Sequence, residues 1–314
     1  MANPAPALKR AGLEASALDD PDATIPFSAL GRVLHESSVE SGCEHFEILA
    51  GSRWSLKGMG LIGELMRHAP TLGDALEYVM LFHHINSGGG AIVVRSDELN
   101  AEVIYAAHDP DIRHLTRASD GVMAAVVAII REMIGASWMP RQVMLTRSRP
   151  DSVAPYRSYF GTTPVFGAEM SSILFRRKVL STPLEGADGA RRDELARQLR
   201  QHVIPDLVPL LQRCIRVLMV LRRPDGDQAA RSLAMNRRTL SRRLSDAGTT
   251  FQKELDEVRF GYAMHLLARP DRSIADVATL LCYDDVSSFA RTFRRWSGMT
   301  PREWRTRFLA GDDL

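Results

Sequence analysis

Two stretches near the C-terminal end of the chain repeat one arrangement of apolar and polar positions. In the later stretch, residues 273–281 carry apolar side chains at the spacing of one helical face, and Phe289, Phe293 and Trp296 then follow at i, i+4 and i+7. The pattern predicts a short helix, a turn and a second helix over 286–296, with the three aromatic side chains in the core.

Local signals mark where these two helices begin. Ser273 is predicted to cap the first helix, with Asp276 three residues later as its partner in a capping box. Asp284 or Asp285 is predicted to cap the second. The apolar spacing and the capping residues therefore agree on both helices.

The earlier stretch has the same organisation. Asp227 is predicted to cap a helix that ends at Leu233, and Asn236 is predicted to cap a second helix over 237–244. With one extra residue in the later turn, the copies align as follows: Ala230 with Ala278, Leu233 with Leu281, Met235 with Tyr283, Leu240 with Phe289, Arg242 with Arg291 and Leu244 with Phe293.

A short helix, a tight turn and an arginine-bearing second helix form the layout that places a helix in the major groove of DNA. Residues 221–310 contain 17 Lys and Arg against 11 Asp and Glu, a net charge of +6 in a chain whose total is +2. All but one of these cations are arginine, whose planar guanidinium suits phosphate and guanine. Taken alone, the arginine content is equally consistent with a solvated helix face.

These residues resemble the DNA-binding domain of AraC-family transcription regulators over 207–307. The resemblance rests on the run 273–278, on the spacing of Phe289, Arg291 and Phe293, and on the segment 294–305. One departure touches both copies, because Ala234 and Cys282 stand where that family usually has a turn glycine. Glycine relieves a backbone with positive φ, so a strained or altered turn is expected here.

The resemblance and the helical phase together identify candidate DNA contacts. Arg242 and Arg291 are the first choices for reading base edges, and Ala290 offers a methyl group to a thymine methyl. The predicted base-contacting set is Arg238, Ser241, Arg242, Ser287, Ala290 and Arg291. The predicted phosphate-contacting set, which holds register without reading sequence, is Arg237, Arg243, Arg294 and Arg295.

The front of the chain alternates between helical and strand periodicity, which predicts a mixed α+β domain. The predicted helices are 58–69, 71–85 with Thr71 as N-cap, and 114–135; the predicted strands are 91–95, 101–105, 141–146 and 171–175. Runs such as 59–63, 69–78 and 154–161 resemble the arabinose-binding-type N-terminal domain of one branch of the same family. That resemblance implies a domain that senses a small molecule.

The predicted fold is therefore an α+β sensor domain followed by an all-α domain with two helix-turn-helix motifs. Residues 1–23, rich in Ala, Pro and Asp, are expected to be disordered. The remaining boundaries are 24–183 for effector binding and dimerisation, 184–206 for a linker and connecting helix, 207–307 for DNA binding and 308–314 for a tail.

Composition sets broad limits on the class of protein. The 314 residues are 45% hydrophobic and 25% charged, as in ordinary globular proteins, and no run of eighteen apolar residues indicates a transmembrane helix. The cysteines Cys43, Cys214 and Cys282 are odd in number and widely spaced, which favours a reducing cytoplasm. No cofactor, metal site or catalytic residue is predicted.

Several residues of the front domain were weighed as ligand contacts. Aromatic or polar-tipped side chains that could line an effector site are Trp54, His83, His84, Tyr105 and Tyr159. A metal site from Cys43, His45 and the two later histidines is disfavoured, because Cys43 and His45 are too close in sequence for a standard zinc pair. The GxGxxG match at 58–63 lacks a preceding apolar strand, so close helix packing is the favoured interpretation.

The predicted function is sequence-specific binding of double-stranded DNA as a transcription regulator under the control of a small-molecule effector. The family resemblance implies an activator, while the residues themselves do not distinguish activation from repression. A homodimer is expected, and the resemblance implies contact with RNA polymerase. Two alternatives remain: a DNA-modifying enzyme, for which Cys43 lacks the reactive sequence context, and an architectural DNA binder without an effector.

Overall fold

A computed structural model divides the chain into two compact units, Met1–Ile204 and Pro205–Leu314. The structure describes residues 4–14, 16, 25–86, 90–107, 112–168, 170–202, 207–220, 222, 224–233, 235–268, 270 and 272–310. The first unit is mixed α and β, and the second is helical. Among the described residues, no helix combines the length and the apolar character needed to cross a membrane.

The first unit contains eight α-helices and five strands among its described residues. The helices are α1 Ala5–Arg10, α2 Phe27–Ser41, α3 Phe46–Gly51, α4 Leu61–Arg67, α5 Leu72–Asn86, α6 Ile112–Ile134, α7 Ala154–Phe160 and α8 Gly189–His202. The strands are β1 Gly90–Ser96, β2 Asn100–Ala107, β3 Gln142–Leu145, β4 Val165–Phe166 and β5 Ser171–Arg176. The helices and strands predicted in this unit are all present, whereas α1, α2, α3, α7 and β4 were not foreseen.

The five strands form one sheet in the order β1-β2-β5-β3-β4. All pairings are antiparallel except β3 with β4, which is parallel. The register places Val94, Val103, Ile173 and Val143 in one row across four strands, and the last three are fully buried. Because neighbours in one row point to the same face, this row anchors the sheet to the core.

Helix α5 begins at a capping box that was only half foreseen. Thr71 Oγ1 accepts a hydrogen bond from the Asp74 amide at 3.2 Å, which confirms Thr71 as the cap. Asp74 Oδ2 accepts in return from the Thr71 amide at 3.1 Å. Two of the amides at the helix start are thereby satisfied.

A cluster of charged side chains is buried where α3 crosses α6. Glu47 on α3 and Asp120 on α6 are both fully buried, and Arg147 Nη1 donates to Asp120 Oδ2 at 3.2 Å. Arg147 also lies over the Tyr156 ring, 5.4 Å from its centroid, and donates to the Tyr156 hydroxyl. A buried carboxylate requires such a partner, because an unpaired charge is costly to remove from water.

Two of the predicted segments contain buried helical residues that pack within the first unit. Within 1–23, expected to be disordered, Ala5–Arg10 forms a helix whose Ala7 and Leu8 are buried. Within 184–206, expected to be a linker and connecting helix, the helix is present as Gly189–His202, and its Leu195 and Leu199 are buried in the core of the first unit. The polar composition of α8 hid a narrow apolar stripe that packs against α4.

The GxGxxG match serves packing, as favoured from the sequence. Gly60 has a φ of 58°, and a Cβ on Gly63 would lie 1.8 Å from the Leu56 carbonyl oxygen. Only glycine fits the second of these positions without moving the backbone.

The second unit is built from seven helices among its described residues. These are α9 Leu207–Val220, α10 Gly226–Ser232, α11 Arg237–Asp246, α12 Phe251–Leu267, α13 Ile274–Leu280, α14 Val286–Ser297 and α15 Pro301–Ala310. Helix α12 lies between the two predicted motifs, and its Leu255, Val258 and Leu267 are buried in the common core. The expectation of one long helix between the motifs is confirmed, but the helix buries only one face and is not largely buried as expected.

Candidate DNA-binding surface

The earlier helix-turn-helix motif consists of α10 and α11. Asn236 caps α11 as predicted, since its Oδ1 accepts from the Thr239 amide at 2.8 Å. The predicted cap of α10 is wrong by two residues, because Asp225 and not Asp227 accepts from the amides of Asp227 and Gln228. Either aspartate satisfies the capping preference, but α10 begins at Gly226, so Asp225 occupies the cap position and Asp227 lies inside the first turn.

The later motif consists of α13 and α14. Ser273 and Asp276 form the predicted capping box at the start of α13. Of the two aspartates considered for α14, Asp285 is the cap, with its Oδ1 accepting from the Ser288 amide at 2.8 Å. Both starts were recognisable because capping is decided within four consecutive residues.

The two motifs share one turn geometry. The Met235 amide donates to the Ala230 carbonyl at 2.8 Å, and the Tyr283 amide donates to the Ala278 carbonyl at 2.9 Å. Each bond spans five residues and ends a helix in the same way. These bonds confirm the alignment of Ala230 with Ala278 and of Met235 with Tyr283.

The aligned core positions are also equivalent in burial. The aligned pairs Leu240 with Phe289 and Leu244 with Phe293 are all buried, and none of the four residues is more than 1% exposed. Trp296 is only half-buried and packs edge-on against Phe260, with 5.6 Å between ring centroids. The predicted anchors therefore hold both second helices against one core.

The later turn is strained at Cys282, which stands where the family usually has a glycine. Cys282 has a φ of 59°, in the left-handed region that side chains with a Cβ disfavour. Arg259 of α12 holds this turn, because its guanidinium donates to the carbonyls of Leu281 and Cys282, each at 2.9 Å, and lies over the Tyr283 ring. Burial raises the pKa of the Cys282 thiol. The equivalent Ala234 lies outside the described residues.

Helix α14 presents polar side chains on the face opposite its aromatic anchors. Ser287, Arg291, Arg294 and Arg295 are exposed, whereas Ala290 is half-buried. Arg291 Nη2 donates to Ser288 Oγ at 3.0 Å, and Arg295 Nη2 donates to Asp256 Oδ2 of α12 at 2.7 Å. A phosphate contact by Arg295 would therefore compete with this ion pair.

Helix α11 carries the earlier set of candidates. Arg238, Ser241, Arg242 and Arg243 are exposed on its surface. Arg237 is exposed but lies over the Phe251 ring, 5.1 Å from its centroid. The exposed position of Arg242 matches that of Arg291, as the sequence alignment of the motifs predicted.

The five effector candidates occupy different environments in the first unit. Trp54 is 51% exposed, whereas Tyr105 is buried in the core. The Tyr159 hydroxyl donates to the Ala124 carbonyl at 2.7 Å, and the Arg131 guanidinium lies over its ring, 5.1 Å from the centroid. His83 is half-buried, and the side chain of His84 lies outside the described residues.

An open cavity of about 410 Å³ lies at one end of the sheet and was missed from the sequence. Its polar lining includes Asn100, Arg141, Gln142 and Thr163, and Arg141 donates to Asn100 Oδ1 at 3.0 Å. None of the four effector candidates whose side chains the structure describes, Trp54, His83, Tyr105 and Tyr159, lines it. Only the strand order brings these residues together, so no pattern in the sequence could have revealed the cavity. Across the described residues, no three His, Cys, Asp or Glu side chains are grouped to hold a metal.

Comparison with known proteins gives two family matches and several relatives. Residues 2–184 match the arabinose-binding domain of AraC transcription regulators, N-terminal, and residues 229–307 match a helix-turn-helix domain. The chain is similar to the HTH-type transcriptional regulator VirS of Mycobacterium tuberculosis, at 27% identity over 97% of this chain and 91% of that protein. It is similar to the ornithine utilization regulator of Pseudomonas aeruginosa, at 25% identity over 92% of this chain and 86% of that protein. A crystal structure of the regulator CdpR from Pseudomonas aeruginosa covers 96% of this chain and 97% of its own, at 24% identity and a TM-score of 0.45.

Both family matches and the names of both relatives describe transcription regulators, which sets aside the alternative of a DNA-modifying enzyme. The first family match covers more than half of the chain, and the second spans both arginine-bearing helices, α11 and α14. The chain therefore belongs to the AraC family of DNA-binding transcription regulators.

Proposed function

We propose that this regulator reads a specific DNA sequence by placing α11 and α14 in two successive major grooves on one face of the duplex, about 34 Å apart. Arg242 and Arg291 read base edges, flanked by Arg238, Ser241, Ser287 and Ala290. The phosphate contacts come from Arg237, Arg243, Arg294 and Arg295. The protein acts as a cytoplasmic homodimer that activates transcription through contact with RNA polymerase.

One observation carries the base-reading proposal. Arg242 and Arg291 are exposed at the same helical phase of two motifs whose turns and buried anchors coincide. An arginine in this position can donate two hydrogen bonds to the O6 and N7 atoms of guanine. The recurrence of an exposed arginine at the same place in both copies supports a shared role in base contact.

We also propose that a small-molecule effector binds the first unit and controls DNA binding. Support comes from the family match over residues 2–184 and from the polar cavity beside Asn100 and Arg141. The name of the Pseudomonas relative connects that protein with ornithine utilisation, which favours small metabolites as the first compounds to test. An effector changes DNA binding only if its affinity differs between two states of the regulator.

A footprint of the full chain on the DNA that flanks its gene tests the base-reading proposal. We expect protection across two adjacent major grooves that survives competitor DNA. Replacing Arg242 or Arg291 by alanine is expected to weaken specific binding by about 1–3 kcal/mol and to relax preference at one base position. The matched control, Arg243→Ala, should weaken binding to all sequences alike and reduce the salt dependence. Equal loss on all sequences for Arg242→Ala or Arg291→Ala would reassign that residue to phosphate contact.

Thermal unfolding with a panel of metabolites tests the effector proposal. A compound present at a hundred times its dissociation constant should stabilise the protein by about 2.7 kcal/mol. The same compound must then alter the footprint. Specific DNA binding that no compound changes would favour an architectural binder.

A further inference from the structure

A chain of hydrogen bonds joins the cap of α14 to Arg291. Arg291 Nη2 donates to Ser288 Oγ at 3.0 Å, and Ser288 Oγ donates to Asp285 Oδ2 at 2.7 Å. A hydroxyl has one proton and two lone pairs, so Ser288 can accept from the guanidinium while it donates to the carboxylate. The three side chains form a relay that ends on a charge at either side.

The relay sets the direction of the Arg291 side chain. Ser288 lies one turn before Arg291, and long side chains of a helix lean toward its N-terminus. The bond therefore draws the guanidinium toward the first turn of α14. In helix-turn-helix proteins the N-terminal residues of the second helix contact the base edges. Four of the five guanidinium protons remain for DNA, which is enough for two bonds to guanine.

The cap and the relay use different oxygens of Asp285. Oδ1 accepts from the Ser288 amide at 2.8 Å and so caps the helix, while Oδ2 accepts from the Ser288 hydroxyl. The pKa of Asp285 is lowered, mainly by the Ser288 hydroxyl and amide, with a contribution from the charge of Arg291. Removing the hydroxyl of Ser288 would therefore break the relay and leave the cap intact.

The earlier motif has no such relay. Asn236 caps α11 through its bond to the Thr239 amide, but an asparagine is neutral. Within the described part of the second unit, Arg242 makes no hydrogen bond or ion pair, although Thr239 occupies the place of Ser288. Arg242 must consequently lose more side-chain freedom than Arg291 when either meets a base.

We propose that Ser288 is a positioning residue that holds Arg291 in its base-reading orientation, so that α14 discriminates among bases more sharply than α11. The inference rests on the proposed base-reading role of Arg291. Ordering a long side chain lowers affinity, and the relay removes this cost for one arginine. Loss of the relay should lower base discrimination by about 2- to 10-fold at the position that Arg291 reads.

Binding measurements on the full chain test this proposal. Selection from a random duplex library identifies the preferred sequence, and Kd is then measured for that duplex, for every single-base variant of it and for an unrelated duplex. The protein variants are Ser288→Ala, Ser288→Thr, Arg291→Ala and, as the matched control in α11, Thr239→Ala. Arg291→Ala identifies the base position that Arg291 reads, because preference is lost there.

We expect Ser288→Ala to reduce the difference in Kd between the preferred base and the other bases at that position alone. The Kd for the unrelated duplex and the salt dependence should not change. Ser288→Thr keeps a hydroxyl and should retain discrimination, whereas Thr239→Ala should alter it at no position. If Ser288→Ala leaves discrimination intact, or weakens binding to all duplexes equally, the positioning role is overturned while Arg291 stays a base reader. If Arg291→Ala itself changes no base preference, both the relay and the base-reading assignment fail.

Discussion

Replacing Cys282 by glycine should stabilise the later helix-turn-helix motif relative to replacing it by alanine. The φ of 59° at this residue lies in the left-handed region, which costs a residue with a Cβ roughly 1–2 kcal/mol. Glycine avoids this cost but loses roughly 0.5–1 kcal/mol more backbone freedom on folding. Both substitutions remove the thiol, so its contacts cancel in the comparison. The Cys282→Gly motif is therefore expected to be more stable than the Cys282→Ala motif by about 1 kcal/mol.

Native-state hydrogen exchange at the turn measures this difference directly. The Tyr283 amide donates to the Ala278 carbonyl at 2.9 Å, so it exchanges only when the turn opens. A difference of about 1 kcal/mol corresponds to about fivefold slower exchange in the Cys282→Gly protein than in Cys282→Ala. Ala275, exposed within α13, supplies the control, because Ala275→Gly in a regular helix should destabilise by about 1 kcal/mol.

Whether the Tyr283 amide exchanges more slowly or faster in Cys282→Gly than in Cys282→Ala decides whether the turn is strained. If Cys282→Gly exchanges faster than Cys282→Ala, as a glycine in a regular helix would, the turn carries no left-handed strain at this position. Arg259 would then bind an ordinary helix end instead of holding a strained turn.

Three further predictions concern the same two units. Arg259→Ala should destabilise the second unit by about 2 kcal/mol, because two turn carbonyls lose a charged donor, and Arg259→Lys should restore only part of this in urea denaturation. Arg147→Met should destabilise the first unit by about 3–5 kcal/mol by leaving Asp120 buried without its cation, and adding Asp120→Asn should recover part of the loss in the same assay. The pKa values of Asp276 and Asp285 are lowered, first by the side-chain hydrogen bonds from Ser273 and Ser288, so their stabilisation is present above the ordinary carboxyl range and is lost as pH falls through the lowered values. The stability of the second unit should therefore fall less steeply as pH is lowered in Asp276→Asn than in the unmodified protein. An unchanged dependence of stability on pH would contradict this linkage.

The sequence alone determined the features that depend on a few neighbouring residues. The capping pairs Ser273 with Asp276 and Thr71 with Asp74 act across three positions, and the spacing of Phe289 and Phe293 follows from the helical period. The repeated motif and the phase of its arginines were readable for the same reason. At the start of α10, Asp225 and Asp227 are both suitable caps, and the prediction from the sequence named Asp227 where the structure has Asp225.

Tertiary structure decided what depends on residues far apart in the chain. Asp120 and Arg147 meet because α6 and β3 pack together, and the cavity beside Asn100 and Arg141 exists because β2 and β3 lie on either side of β5. Arg259 reaches the turn at Cys282 only through the packing of α12 against α13. Such contacts leave no periodic trace in the sequence, since each depends on the geometry of the assembled core and not on the preferences of its neighbours.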